Sequence, residues 1–138
     1  MSMVKKIIIT GGLGYIGSEL CKIYSGVSWH HKIIVIDNRF ISERVNQIRN
    51  WNMEFIHGDI LDKELVNKVF KDCDIVHHLA GITEVPRTKS ESSEEKDDKI
   101  KLVGEKGTQN ILDSISKKCK IIFPSTHVVF EGIEKVKN

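Results

Sequence analysis

A chain of 138 residues and 15.7 kDa is long enough to bury the core of one domain. Its formal net charge of +2 gives no argument for binding nucleic acid or an anionic membrane surface, and no apolar run approaches the roughly 18 residues of a membrane span. The N-terminus lacks the hydrophobic stretch of a signal peptide. The cysteines, Cys21, Cys73 and Cys119, form no C-x-x-C pair, so we interpret them as small buried hydrophobic residues and expect a cytoplasmic protein.

A glycine-rich turn follows the first apolar run. The letters KKIIITGGLGYIG, Lys5 to Gly17, predict a strand, a tight turn and a helix that begins near Tyr15. Glycines at such spacings let a chain turn sharply, approach a pyrophosphate and pack a helix closely on a sheet. We therefore predict that the amides around Tyr15 and Ile16 face the phosphates of a dinucleotide. The glycines fit both G-x-G-x-x-G and G-x-x-G-x-x-G, through Gly11, Gly12, Gly14 and Gly17.

An aspartate ends the second apolar run, twenty positions after Gly17. In a dinucleotide-binding fold, a carboxylate at this distance accepts hydrogen bonds from the adenosine ribose, and Asp37 stands there. The alternative is a glycine turn and a strand-capping aspartate with no ligand. Because the carboxylate would repel a 2′-phosphate, Asp37 favours NAD over NADP, while the nearby Arg39 keeps NADP open.

The remaining apolar runs and helical patterns alternate along the chain. We predict a first helix from about Tyr15 to Ser25, with Ile16, Leu20, Ile23 and Tyr24 on one face. Alternation of this kind predicts a Rossmann-like, doubly wound parallel sheet with helices on both faces, in one domain spanning residues 1–138. The other predicted elements are a strand Lys32–Asp37, a possible short helix Glu43–Ile48, a strand Met53–His57, a helix from an Asp62 N-cap to about Phe70, a strand Asp74–Leu79, a helix marked by Ile100 to Ile115, and a strand Lys120–Phe123.

Small or polar residues stand where the later strands end. Asp59 follows the third strand, where it would face the adenine or act as a turn residue before a helix. Ala80-Gly81 follows the fourth, where small residues let a cofactor pass close to the backbone or simply form a turn. Ser125-Thr126 follows the fifth. Because the carboxyl ends of parallel strands meet at one edge, we expect these residues to share a site with the glycine turn.

These segments and a few others occur in the order of a known family. They are TGGLGYIG, VIDN (35–38), HGDI (57–60), HHLAG (77–81), VPR (85–87), GTQNIL (107–112) and FPSTHVVF (123–130). With them the chain resembles the extended short-chain dehydrogenase/reductase family, in the NAD-dependent epimerase/dehydratase branch that acts on nucleotide sugars. The glycine turn is most similar to that of UDP-glucose 4-epimerases.

The resemblance implies a site for NAD and a nucleotide-sugar substrate. Ser125 would lie near the nicotinamide, and Thr126 would hydrogen-bond the reacting oxygen of the sugar. The implied cofactor contacts are the pyrophosphate at Gly11, Gly14, Tyr15, Ile16 and Gly17, the adenosine ribose at Asp37 and Asn38, the adenine at Asp59 and Ile60, and the middle of the cofactor at Leu79, Ala80 and Gly81.

The family's catalytic tyrosine and lysine have no counterpart in this sequence. The tyrosines are Tyr15 and Tyr24, and neither begins a Y-x-x-x-K. The chain stops at Asn138, before the family pattern would supply that pair and the substrate lobe. We therefore expect the first half of such an enzyme, which binds a dinucleotide but does not turn over alone. A non-catalytic dinucleotide-binding or sensing module is the alternative, and family members commonly form homodimers.

Two further patterns narrow the chemistry. Thr126-His127-Val128 stands where sugar-nucleotide 4,6-dehydratases carry T-D-E, which argues against that reaction and leaves epimerase or reductase chemistry more open. His77 and His78 are adjacent on a strand and point to opposite faces, so they cannot share a metal ion. We predict structural roles for these two and for His30-His31, with no metal. His127 stays open between a surface role and a role at the active edge.

Overall fold

Five parallel strands form the centre of the molecule. The computed structural model describes residues 3–81 and 94–124. The strands alternate with helices along the chain, as the sequence predicts. Their bounds are β1 Lys6–Thr10, β2 Lys32–Asp37, β3 Glu54–His57, β4 Ile75–His78 and β5 Lys120–Ile122.

The sheet has the strand order β3-β2-β1-β4-β5. The first strand is therefore central, pairing with β2 through Thr10 and Ile36 and with β4 through Thr10 and His78. The order reverses between β1 and β4, and in open α/β sheets ligands bind outside the carboxyl ends of the strands at such a switch point. The glycine-rich turn directly follows β1 at this point.

Helices cover both faces of the sheet. Inward positions along β1 alternate, so Ile7 and Ile9 join one buried cluster and Ile8 the other. The first cluster includes Cys21 of α1, and the second includes Ile111 of α5. The helices are α1 Tyr15–Tyr24, α2 Ser42–Asn50, α3 Lys63–Val69, α4 Glu94–Leu102, a π-helical segment Val103–Gly107 and α5 Thr108–Ser114. The predicted doubly wound parallel sheet is thus confirmed.

The predicted apolar face of the first helix is wrong in part. Ile16 is 67% and Ile23 is 74% exposed, whereas Gly17 and Cys21 are buried. The helix packs so closely on the glycine turn that small residues take the contact positions. The larger apolar side chains on either side of this contact are left facing solvent.

The long helix predicted around Ile100 to Ile115 is interrupted. A π-helical segment joins α4 to α5, and its last residue, Gly107, lies against the side chain of Ile60. A β-carbon at Gly107 would stand 2.5 Å from Ile60 Cδ1, so a larger residue here would force the buried Ile60 side chain to shift. Within residues 3–81 and 94–124, no helix is long and apolar enough to cross a membrane.

Candidate functional site

The glycine turn is built by one left-handed residue and one close approach. Gly11 has φ +67°, a conformation that glycine adopts without strain, and its N–H donates to the Ile36 carbonyl of β2 at 2.8 Å. A β-carbon on Gly17 would overlap the Gly11 carbonyl oxygen and lie 2.7 Å from Gly12 Cα. The first and last glycines of the motif therefore bring the start of α1 directly onto the end of β1.

The N-terminus of α1 carries no side-chain cap. Its N-cap is Gly14, which has extended backbone and no side chain to accept from the first amides. The first residue, Tyr15, is 90% exposed, and Ile16 follows it on the surface. The first-turn amides and the positive end of the helix dipole therefore suit an anion such as a pyrophosphate.

Asp37 fastens the end of β2 to the glycine turn. Its Oδ2 accepts the Leu13 N–H at 3.0 Å, and its Oδ1 accepts the Arg39 N–H at 2.9 Å. The side chain of Asp37 is only 4% exposed. A carboxylate has about four lone-pair sites, so it retains acceptor capacity for a ribose hydroxyl.

Arg39 lies across this carboxylate, which sequence reasoning did not anticipate. Its Nε is 3.4 Å from Asp37 Oδ1, and its Nη2 would be 3.7 Å from a β-carbon built on Gly14. The guanidinium thus spans the space between the Asp37 carboxylate and the glycine turn. It is 56% exposed, so it can move aside or contact a bound anion.

Asp59 and Ile60 adopt local structural roles in the turn before α3. Asp59 Oδ1 accepts the Leu61 N–H at 2.9 Å, which is the turn role that the sequence left open beside adenine binding. The side chain of Ile60 is 5% exposed and packs in the core, so only its backbone can face a ligand. The predicted N-cap of α3 is confirmed, because the Asp62 side chain accepts the Leu65 N–H at 3.1 Å.

Asn110 holds this turn from the opposite side and was missed by sequence reasoning. It is buried on α5, and its Nδ2 donates to the Ile60 carbonyl at 3.0 Å and the Leu61 carbonyl at 3.3 Å. The two contacts bridge about fifty positions of sequence. The only sequence signal was the asparagine of GTQNIL.

Leu79 and Ala80 lie opposite the glycine turn, as their sequence positions predict. A β-carbon on Gly11 would be 2.8 Å from Ala80 N. The next residue, Gly81, is exposed with no atom within 4 Å of its own β-carbon position. Asn38 is on the surface too, and its backbone carbonyl oxygen lies 3.0 Å from His57 Nε2.

A buried hydrogen-bond network, formed by Thr10, His78 and Thr108, holds this side of the site in place. The hydroxyl oxygen of Thr10 accepts the N–H groups of Leu79 at 3.0 Å and Ala80 at 2.9 Å. Its own proton is therefore directed to His78 Nδ1, 2.8 Å away. Because Nδ1 accepts, the proton of the neutral ring is on Nε2, which donates to Thr108 Oγ1 at 2.9 Å. Burial lowers the pKa of His78, which favours this neutral form.

His77 points the opposite way, as predicted from its place on the strand. Its Nε2 lies 2.6 Å from the Tyr24 hydroxyl on α1, and burial lowers its pKa. Among the residues that the structure describes, no three histidine, cysteine, aspartate or glutamate side chains form a group that could hold a metal ion. Both histidines have structural partners.

The structure brings most of the predicted cofactor residues to one edge of the sheet. Gly11, Asp37 and Ala80 are linked there through the contacts described above, and the Gly58 N–H donates to the Asp37 carbonyl at 3.0 Å, which brings Asp59 beside them. Ser125 and Thr126 lie outside the described residues, as do His127 and the VPR segment. Surface concavities of about 440 and 470 Å³ lie elsewhere, the first at the amino ends of β2 and β3 and the second along α4 and the π-helical segment.

The fold and this edge define a Rossmann-like α/β domain of the short-chain dehydrogenase/reductase type. Within that class, the chain belongs to the 3-beta hydroxysteroid dehydrogenase/isomerase family, which matches residues 8–138. The resemblance to NAD-dependent epimerases and dehydratases, read from the motifs, is confirmed by the relatives.

The relatives are all longer proteins. The dTDP-D-glucose 4,6-dehydratase of Dictyostelium discoideum is 33% identical over 135 residues, 92% of this chain and 30% of that protein. The CDP-paratose 2-epimerase of Salmonella typhi is 34% identical over 142 residues, 96% of this chain and 40% of that protein. A UDP-glucose-4-epimerase structure from Stenotrophomonas maltophila, with NAD and formylated UDP-arabinopyranose, superposes with a TM-score of 0.72 at 21% identity, covering 91% of this chain and 38% of that one. The chain thus spans about a third of the length of its relatives.

Proposed function

We propose that this chain is the NAD-binding portion of a nucleotide-sugar epimerase, dehydratase or related oxidoreductase. The observation that carries the proposal is the junction of Gly11, Asp37 and Ala80 at the switch point of the sheet. The UDP-glucose-4-epimerase of similar fold was crystallised with NAD. In such enzymes NAD takes a hydride from a sugar carbon and returns it or passes it on.

Different residues of this edge would bind different parts of the cofactor. The uncapped amides at Tyr15 and Ile16, with the glycines before them, would bind the pyrophosphate. Asp37, with Asn38 beside it, would accept the ribose hydroxyls while Leu13 and Arg39 hold its carboxylate in place. The backbone of Asp59 and Ile60 would border the adenine, and Leu79, Ala80 and Gly81 the middle of the cofactor. Ser125 and Thr126 complete the proposed site toward the nicotinamide and the sugar.

We test the ribose assignment by calorimetry with NAD and NADP on the 138-residue chain. Asp37→Asn keeps the shape of the side chain and one acceptor oxygen but removes the charge. Losing a charged hydrogen bond of about 1.5–3 kcal/mol should weaken NAD binding roughly 10- to 100-fold from the micromolar range. The matched control is Asp72→Asn, an exposed aspartate in the turn before β4, where asparagine tolerates the φ of 59°. Equal NAD affinity of Asp37→Asn and the wild type would reject the assignment.

The second candidate is a non-catalytic dinucleotide-binding or sensing module. The 138 residues contain no Y-x-x-x-K, which agrees with either candidate because the family pattern places that pair beyond Asn138. The deciding observation is the natural reading frame after Asn138. A continuation with Y-x-x-x-K roughly 20–30 residues after Thr126 supports the enzyme, whereas a stop codon leaves binding without turnover.

The other parts of the proposal follow from the family. The substrate would be a nucleotide sugar read mainly by a second lobe, which residues 1–138 do not include. We expect a cytoplasmic location, and the family resemblance suggests a homodimer as one assembly to test. Size-exclusion chromatography coupled to light scattering would measure the assembly directly.

A further inference from the structure

Two of the three cysteines meet at the amino ends of neighbouring strands. Cys73 directly precedes Asp74 at the start of β4, and Cys119 directly precedes β5. Their sulfur atoms are 3.3 Å apart although they are 46 positions apart in sequence. Both are free thiols. Burial in the apolar core is confirmed for Cys21 and Cys73, while Cys119 is partly exposed, and the proximity of Cys73 to Cys119 was not predicted from the sequence.

The backbone on either side holds the two thiols in place. The Lys120 N–H donates to the Asp74 carbonyl at 2.9 Å, so the residues next to both cysteines are already paired across the strands. The Cys119 N–H donates to the Ser116 carbonyl at 3.1 Å. A disulfide has an S–S length near 2.04 Å, so the sulfurs need to approach by only about 1.3 Å. We expect side-chain rotation to supply a change of that size.

The two thiols differ in access. Cys73 is 5% exposed and sits in the core beneath α3, whereas Cys119 is partly exposed. An oxidant in solution therefore reaches Cys119 first, and Cys73 is the thiol that follows. Burial raises the pKa of Cys73 to about 12 and raises the pKa of Cys119 as well, so both react slowly near neutral pH.

We propose that Cys73 and Cys119 form a reversible disulfide when the chain meets a low-molecular-weight disulfide oxidant. The Cys119 thiolate attacks one sulfur of the oxidant, forming a mixed disulfide and releasing one thiolate. The Cys73 thiolate then attacks the Cys119 sulfur, forming the Cys73–Cys119 bond and releasing the second thiolate. The two protons lost by the cysteines end on the released thiols, so the protein loses two electrons and the oxidant gains them.

The bond would close a long loop and tie β4 to β5. The enclosed segment includes the whole connection between the two strands and the Leu79–Gly81 turn. Closing a loop of this length restricts the unfolded chain, and we expect the oxidised protein to melt about 5–10 °C higher than the reduced one. A strong reductant should reverse the shift.

The test treats the folded chain with oxidised glutathione at pH 7.0 and 8.5. We expect the thiol count to fall from three to one, a mass loss of two hydrogens, and one proteolytic fragment pair joined through Cys73 and Cys119. The reaction should run about tenfold faster per pH unit, because the thiolate fraction grows by that factor. Cys21→Ala should behave as the wild type, because Cys21 is buried on the other face of the sheet. Cys73→Ser should stop at the mixed disulfide.

The wild-type fragments alone decide the question even if a serine variant fails to fold. Three free thiols after treatment of the folded chain would overturn the proposal. So would a lasting mixed disulfide at Cys119 in the wild type, or a dimer linked through Cys119.

Discussion

The role of the Thr10 hydroxyl can be tested with one conservative substitution, because valine has a methyl group in its place and is otherwise the same as threonine. This hydroxyl lies at the centre of the buried hydrogen-bond network. Thr10 is fully buried at the end of β1. Thr10→Val keeps the shape of the side chain and replaces the oxygen with a methyl group. The change leaves His78 Nδ1 without its donor and Ala80 N–H without its acceptor.

The expected loss of stability follows from counting these groups. Leu79 N–H keeps a second partner, the Thr10 carbonyl at 3.2 Å, and contributes little. Each buried polar group left unsatisfied costs about 1–3 kcal/mol. Water can reach the partly buried Ala80, which places its share at the low end. We therefore expect Thr10→Val to lower the free energy of unfolding by about 2–4 kcal/mol.

The matched variant is Thr10→Ser, which keeps the hydroxyl and loses only a methyl group, worth about 1 kcal/mol. Urea unfolding followed by circular dichroism gives both values, and nitrogen-15 NMR of the wild type should show the Nε2–H form of His78. Equal stability of the valine and serine variants would refute the role of the hydroxyl. So would a proton on His78 Nδ1.

Two further predictions concern the glycine turn and the buried histidines. Gly17→Ala should prevent stable folding, because its β-carbon would meet the Gly11 carbonyl. At Gly104 a β-carbon would meet none of the described atoms within 4 Å, so Gly104→Ala should change stability by less than about 1 kcal/mol. Thermal melts compare the two variants, and similar midpoints would contradict the packing. Burial lowers the pKa of His77 and of His78 from 6.5. At a pH below about 6.5 the unfolded chain therefore binds more protons than the folded chain, so the free energy of unfolding should fall as the pH drops. Urea midpoints at pH 7.5, 6.5 and 5.5 measure this fall, which should be smaller in His77→Asn; a flat profile would show that the folded protein takes up the same protons.

The central strands β1, β2 and β4 could be predicted closely from sequence because they are buried on both faces. A run such as Ile33 to Ile36 has nowhere to lie except inside a covered sheet, and β2 has the predicted bounds, Lys32–Asp37. The glycine turn and Asp37 could be predicted equally well. A φ near +67° favours glycine in the turn, and the carboxylate at the end of the next strand follows it at a fixed spacing in the sequence.

Contacts between residues far apart in the sequence could not be predicted in this way. The asparagine of GTQNIL gives no sign that it reaches the Ile60 carbonyl, and Cys73 and Cys119 belong to no spaced motif. For Ile16 and Ile23 the sequence predicted burial, but the structure leaves both exposed. Hydrophobic periodicity identifies apolar positions on one face of a helix, but it does not show whether the space beside the helix can hold their side chains. Where the start of α1 meets the glycine turn, the gap leaves no room for a side chain at position 17.

The central position of β1 affects when the sheet can assemble during synthesis. This strand is synthesised before both of its neighbours in the sheet, and its partner across Thr10 and His78 comes 68 residues later. At about 5–20 residues per second, the ribosome adds β4 roughly 3–14 s after β1. During that interval the glycine turn lacks Ala80, which forms its opposite wall. The edge formed by Gly11, Asp37 and Ala80 is therefore complete only after β4 has been added.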